Sequence, residues 1–233
     1  MGYNNLGLFL RRQRKFEEAI GQFRRVIALA PDNAAGYVNL AAVLIDSGKV
    51  DEAEATLKRA ADNGLPSYAV HANLGMIYCR KRRFAEATAA TRQAFRWNDR
   101  DWRIWTNLAV IHRWLGEDAA AVKAYQRALP LIEEAVGVEP KSAILQARLA
   151  EIHAYTGDSA KAASRAQAAL ALAPREPLVL LACADAYAAL GDRRRAVTLA
   201  NDAVANGLTL PQLDQDPEAR RFRGDPSFVA QDH

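Results

Sequence analysis

The sequence predicts an all-α fold, a row of about six helical hairpins closed by a short C-terminal helical cap. Three observations carry that prediction. Small and large apolar residues recur with a period of 34 residues; within each period they follow helical spacing on both sides of a short polar turn; and the periodic pattern closes at Leu210.

The first unit, 1–32, sets the frame with Tyr3, Leu6, Gly7, Ala19, Phe23 and Pro31. The second, 33–67, repeats it at Tyr37, Leu40, Ala41, Ala53, Leu57 and, one residue late, Pro66. The third, 68–101, places Leu74, Gly75, Tyr78 and Ala87, and the fourth, 102–142, places Trp105, Leu108, Ala109, Ala121, Tyr125 and Ala128. An insertion of about seven residues, nearly two helical turns, lies between Pro130 and Lys141. It lengthens the second helix of the fourth unit while Leu129, Ile132 and Val136 stay on one stripe. Pro130 is expected to kink that helix, because its ring collides with the carbonyl of Gln126. The fifth unit, 143–176, resumes with Leu149, Ala150, Ala162, Ala169 and Pro174; the sixth, 177–210, carries Ala184, Tyr187, Ala196 and Ala203.

Gly48, Gly116, Gly157 and Gly191 follow the first helix of their units, where a left-handed residue ends a helix at low steric cost. Arg14 and Arg82 hold that place in units one and three, so those turns are expected to be strained. Small residues such as Gly7, Ala41 and Gly75 on first helices oppose Ala19, Ala53 and Ala87 on second helices, a pattern that lets helix backbones approach closely. After Leu210 the segment 211–233 reads as a cap. Asp216-Pro217 and Asp225-Pro226 each offer an N-cap followed by proline, predicting two short helices that fold Leu213, Phe222 and Phe228 back on the sixth hairpin. At the other end Met1 enters the first helix after its expected start with no capping residue ahead, so the chain reads as cut from something longer.

These residues resemble the tetratricopeptide repeat: an aromatic, then Leu-Gly, Tyr, Ala, a large apolar residue and a closing Pro. Thr91 and Ala166 depart from the pattern at large apolar positions, and Val26 and Leu208 where Ala and Pro are usual. The resemblance implies a right-handed superhelical solenoid whose first helices line a concave, peptide-binding groove. The tail, Asp-Pro-Glu followed by Phe-Arg-Gly-Asp-Pro-Ser-Phe, resembles the ends of repeat domains that follow bacterial serine/threonine kinases and nucleotide cyclases. The chain itself carries no Gly-rich phosphate loop, His-Arg-Asp or Asp-Phe-Gly.

Composition narrows function further. Half of the residues are hydrophobic and 25% charged, too apolar for disorder, and no apolar run approaches the ~20 residues of a membrane span. With no leader-like N-terminus and only Cys79 and Cys183, a reducing cytoplasm is expected. His112 and His153 stand where the repeat has Tyr, as core or groove-edge residues; His71 replaces an aromatic and His233 is terminal. None has a metal-ligand spacing, so no cofactor, metal or catalytic residue is expected and the chain reads as a non-enzyme.

A protein or peptide segment is the expected partner. Asn5, Asn39, Asn73 and Asn107 recur every 34 residues on the first helix, opposite its packing stripe. An amide donates and accepts, so such a ladder can pair with an extended backbone of any sequence; by resemblance, this position contacts bound peptide in the family. In the last two units Arg148 and Ala182 interrupt the ladder, so the site is expected to span the first four. Around it Met76, Arg80, Arg103, Arg113, Trp114 and Arg148 make a mixed apolar and cationic wall, suited to an acidic segment or a C-terminal carboxylate. A chaperone-tail clamp is matched only at Asn107 and Arg148.

The run from Phe95 to Trp105 interleaves aromatics with cations, leaving Trp97 and Trp102 surplus to the repeat; packing in the loop is their expected fate. The clusters Arg80 to Arg83, Arg193 to Arg195 and Arg220-Arg221 fall in different turns and the tail, and the net charge is only +4. Nucleic-acid binding therefore ranks below a groove-binding scaffold and below the regulatory arm of a larger bacterial enzyme.

Overall fold

The computed structural model describes residues 2–65, 67–213 and 219–229. Met1, Pro66, the Asp216-Pro217 pair and His233 lie outside them. Among the described residues are twelve long helices, two single-turn helices and no strand, an all-α helical-repeat fold. The chain divides into two compact units, meeting in sequence at Asp99 and Arg100.

The first unit holds three hairpins: α1 (Tyr3–Arg12) with α2 (Phe16–Leu29), α3 (Ala34–Asp46) with α4 (Val50–Asp62), and α5 (Tyr68–Arg80) with α6 (Phe84–Trp97). First helices lie side by side, α3 touching both α1 and α5. Small residues set the approach. A Cβ on Gly7 would stand 2.8 Å from the Phe23 ring, and one on Gly75 would stand 2.7 Å from Thr91 Oγ1. Thr91 avoids an unpaired buried hydroxyl by donating to the Ala87 carbonyl at 2.8 Å, which is how this departure from the apolar pattern is accommodated.

Both hairpin turns without glycine are left-handed, with φ of 59° at Arg14 and at Arg82. Such a backbone costs a non-glycine residue roughly 1–2 kcal/mol. At Arg82 its flanking residues secure the turn: Lys81 pairs with Asp51 at 2.5 Å and with Glu54, and Arg83 with Glu54 at 2.8 Å. Burial works against the Glu54 charge, but hydrogen bonds from Lys81 and Arg83 outweigh it and hold the carboxyl below its ordinary range.

The second unit contains α7 (Trp102–Trp114), α8 (Asp118–Val138), α9 (Ala143–Thr156), α10 (Ser159–Leu172), α11 (Pro177–Ala189), α12 (Arg193–Ala205) and single turns α13 (Leu210–Leu213) and α14 (Ala219–Phe222). The lengthened α8 runs as one helix through Pro130, and its added turns bury Ile132 and Val136 in a cluster with Leu145, Leu149 and Ile152. Here aspartates start second helices: Asp158 accepts from the Lys161 N–H and Asp192 from the Arg195 N–H, both at 3.1 Å.

Leu213, Ala219 and Phe222 are buried in the core of the last hairpin, with Phe228 packed against its edge. Asp225-Pro226 does not start a helix as the sequence suggests. The Asp225 carboxylate instead accepts from the Ser227 hydroxyl and N–H and pairs with Arg193 at 2.6 Å, closing a turn. Those partners hold its pKa down at about 2.

Candidate functional site

The first helices present the residues that the 34-residue comb selects, and each unit arranges them differently. In the first unit Asn5 is exposed on α1. Asn39 Nδ2 donates to Asn4 Oδ1 at 2.8 Å, tying α3 to α1. Asn73 turns back along α5, its Nδ2 donating to the Ala69 carbonyl at 2.9 Å. Each of these amides still has a second N–H and an oxygen able to bond elsewhere. At the turn end of the same helices, Arg11 Nε and Asp46 Oδ2 are 2.6 Å apart. Met76 and Arg80 are half-buried on α5.

In the second unit Asn107 is half-buried on α7 beside an aromatic and charged shelf. The Arg113 guanidinium lies 4.3 Å over the Tyr155 ring, and Tyr155 stacks on Tyr125 at 4.8 Å with the planes 4° apart. The Tyr125 hydroxyl donates to Glu151 at 3.3 Å, and Arg148 donates to the same carboxylate at 2.8 Å. Trp114 is half-buried at the end of α7. Arg103 is exposed, 4.8 Å over the Trp102 ring and 3.4 Å from Asp101.

These contacts correct one expectation. Arg148, Arg113 and Arg103 are not an open row of carboxylate acceptors: Arg148 is engaged by Glu151, Arg113 by a ring and Arg103 by Asp101 and Trp102. The buried Glu151 and Asp185 escaped the sequence reading although both occupy the register that Met76 holds in α5. The insertion in the fourth unit displaces them by seven residues, and only an alignment restarted after it brings them into line.

The histidines and cysteines lack catalytic settings. His112 meets Glu117 at 2.6 Å at the hairpin turn, half-exposed rather than in the core. His153 is 2% exposed, with neither ring nitrogen hydrogen-bonded and Glu133 Oε1 3.9 Å from Nε2. Burial lowers its pKa, as it does that of the half-buried His71. Burial also pushes the Cys183 thiol up to about 12, far from a reactive thiolate. Among the described residues no group of His, Cys, Asp and Glu could hold a metal ion, and no helix is long and apolar enough to cross a membrane. Trp97, expected to pack, is 56% exposed, whereas Trp102 is half-buried.

Family models described as tetratricopeptide repeat match residues 10–74 and 103–175, together more than half of the chain. A search of curated protein sequences finds no match. Among solved structures, a thermophilic tetratricopeptide-repeat protein of Thermus thermophilus is 20% identical, with TM-score 0.61 over 80% of this chain and 97% of that one. The Cut9–Hcn1 hetero-tetramer of the APC/C gives TM-score 0.64 at 17% identity, covering 94% of this chain and 42% of that one. Pseudomonas aeruginosa pilF gives 0.55 at 17% identity, over 90% and 93% of the two chains. At such identities the likeness is one of fold.

Proposed function

We propose that this chain, which belongs to the tetratricopeptide-repeat family, is a non-catalytic scaffold that holds an extended protein segment along the first-helix faces of its hairpins. The observation that carries this reading is the row Asn5, Asn39, Asn73 and Asn107, amides repeated at one register on successive first helices. Two of them make side-chain bonds of 2.8 and 2.9 Å that fix their rotamers on the helix surface, so part of the ordering cost of binding is met in advance.

The chemistry available to a partner differs between units. In the first, amides and Met76 suit backbone pairing and an apolar side chain. In the second, the Arg113–Tyr155–Tyr125 stack holds a guanidinium flat, and its N–H edge suits a carboxylate of the partner.

The test compares the wild-type chain with Asn39→Ala/Asn73→Ala/Asn107→Ala in affinity capture from bacterial lysate, followed by titration of the identified segment. Proteins retained by the wild type and lost by the variant support the groove; identical retention by both removes it. A second reading makes the array the regulatory arm of a bacterial kinase or cyclase. What supports it is the tail resemblance, and sequencing the complete reading frame for a catalytic domain decides it.

A further inference from the structure

The comb that aligns the asparagines also aligns cations on the second helices of the first unit. Arg24, Lys58 and Arg92 are 34 residues apart on α2, α4 and α6. Arg25 and Arg59 follow the first two, and Arg96 lies one turn further along α6. All six are exposed. The equivalent residues of the later hairpins are Gln126, Gln167 and Asn201, so the stripe belongs to the first unit alone.

Acidic residues open the same helices, where they complement the helix dipole, but they are spent on other cations. Glu17 pairs with Lys49, Glu52 with Arg24, Asp51 with Lys81 and Glu86 with Arg83. Arg25 and Arg59 are held instead over the rings of Tyr3 and Tyr37, at 5.6 and 5.0 Å. Among the described residues Arg92 and Arg96 pair with no carboxylate; Arg96 donates to Gln93 at 3.2 Å. Beside them stands an unburied apolar pair: Leu29 and Trp97, the last residues of α2 and α6, are 72% and 56% exposed.

We infer that the second-helix face of the first unit binds an acidic protein segment bearing apolar side chains, its carboxylates on Arg59, Arg92 and Arg96 and an apolar residue against Trp97. A guanidinium stacked on a ring keeps its N–H edge outward, the geometry that receives a carboxylate in a fork. Nucleic acid fits less well. One exposed indole is a single stacking platform rather than a series, and the acidic first turns beside the stripe repel a second phosphate strand. The inference concerns a face separate from the asparagine row and stands apart from the groove reading.

The experiment titrates the full chain into a fluorescein-labelled peptide of repeated Glu-Glu-Leu, with single-stranded oligothymidylate as competitor. Saturable binding with quenching of Trp97 fluorescence is expected. Lys58→Gln/Arg59→Gln/Arg92→Gln/Arg96→Gln should raise Kd at least about tenfold, while Arg59→Lys/Arg92→Lys/Arg96→Lys keeps it within a factor of about three. Trp97→Ala supplies a readout independent of the cations, and weaker peptide binding is expected there. The asparagine triple variant should bind the peptide like the wild type. No saturable binding, equal affinity in the Gln variant or in Trp97→Ala, loss in the asparagine variant, or tighter binding of oligothymidylate than of peptide would each overturn the inference.

Discussion

The side chain of Asn201 clamps the extended chain at Val229: its Oδ1 accepts from the Val229 N–H at 3.0 Å while its Nδ2 donates to the Ser227 carbonyl at 2.9 Å. One amide therefore reads two backbone groups with no regard to the side chains between them. It is the same chemistry that the asparagine row offers a partner, realised here within the chain, on a second helix.

Removing that amide should free the tail. In Asn201→Ala, amide hydrogen exchange at Ser227 to Val229 is expected to approach the rate of an open chain, at a cost of about 1 kcal/mol, while α1 to α10 keep their protection. Unchanged exchange at Val229 would show that Phe228 packing alone retains the segment.

Close helix approach gives an opposed pair of substitutions. Gly7→Ala drives a methyl into the buried Phe23 ring and should cost about 1–3 kcal/mol. Gly21→Ala meets nothing within 4 Å and should gain roughly 0.5–1 kcal/mol from helix propensity. Thermal unfolding of the two variants should move in opposite directions.

The hairpin turns give a second pair. Gly48 has φ of 80°, so Gly48→Ala should destabilise by roughly 1–2 kcal/mol. Arg14 has φ of 59°, so Arg14→Gly should stabilise by up to about 1 kcal/mol, part of the relief being offset by the flexibility of the unfolded glycine. Urea unfolding midpoints of the two variants check both signs.

Acid should act on the second unit through His153. Burial disfavours its charged form, although Asp158 and Glu133 pull the other way and Lys161 and Arg165 add to the burial effect. Its folded pKa lies below the ordinary 6.5. The unfolded chain therefore binds the proton first as pH falls, so stability is lost from about that value downward until the folded state also titrates. His153→Tyr, which restores the residue usual at this place in the repeat, should flatten the melting temperature between neutral pH and pH ~5. A wild-type profile already flat there would exclude the effect.

Much of the fold was legible because it is written as a period. Gly7 beneath Phe23 and Gly75 beside Thr91 are local consequences of residue size, and size recurs visibly every 34 positions. The site was legible only in part. Which residues share a helix face follows from register, but what each side chain bonds depends on neighbours that register does not name: Asn39 takes Asn4, Asn73 its own backbone, Arg148 the nearby Glu151. The stripe of Arg24, Lys58 and Arg92 was hidden for another reason. Its members are scattered singly among apolar residues, so contiguous charge runs such as Lys81-Arg82-Arg83 drew notice first. The Asn201 clamp has no sequence signature, since it joins a helix to a tail 26 and 28 residues away.

Arg24 in α2 reaches across to Glu52 of the following hairpin, whereas Asn201, in the same register of α12, reaches to the tail. The tail thus takes the place a seventh hairpin would claim. Lengthening of this array by gene duplication is thereby biased toward its interior. A copy inserted ahead of α11 leaves Asn201, Arg193 and the segment around Phe228 joined, while one added behind α12 would have to compete with them for the same surface.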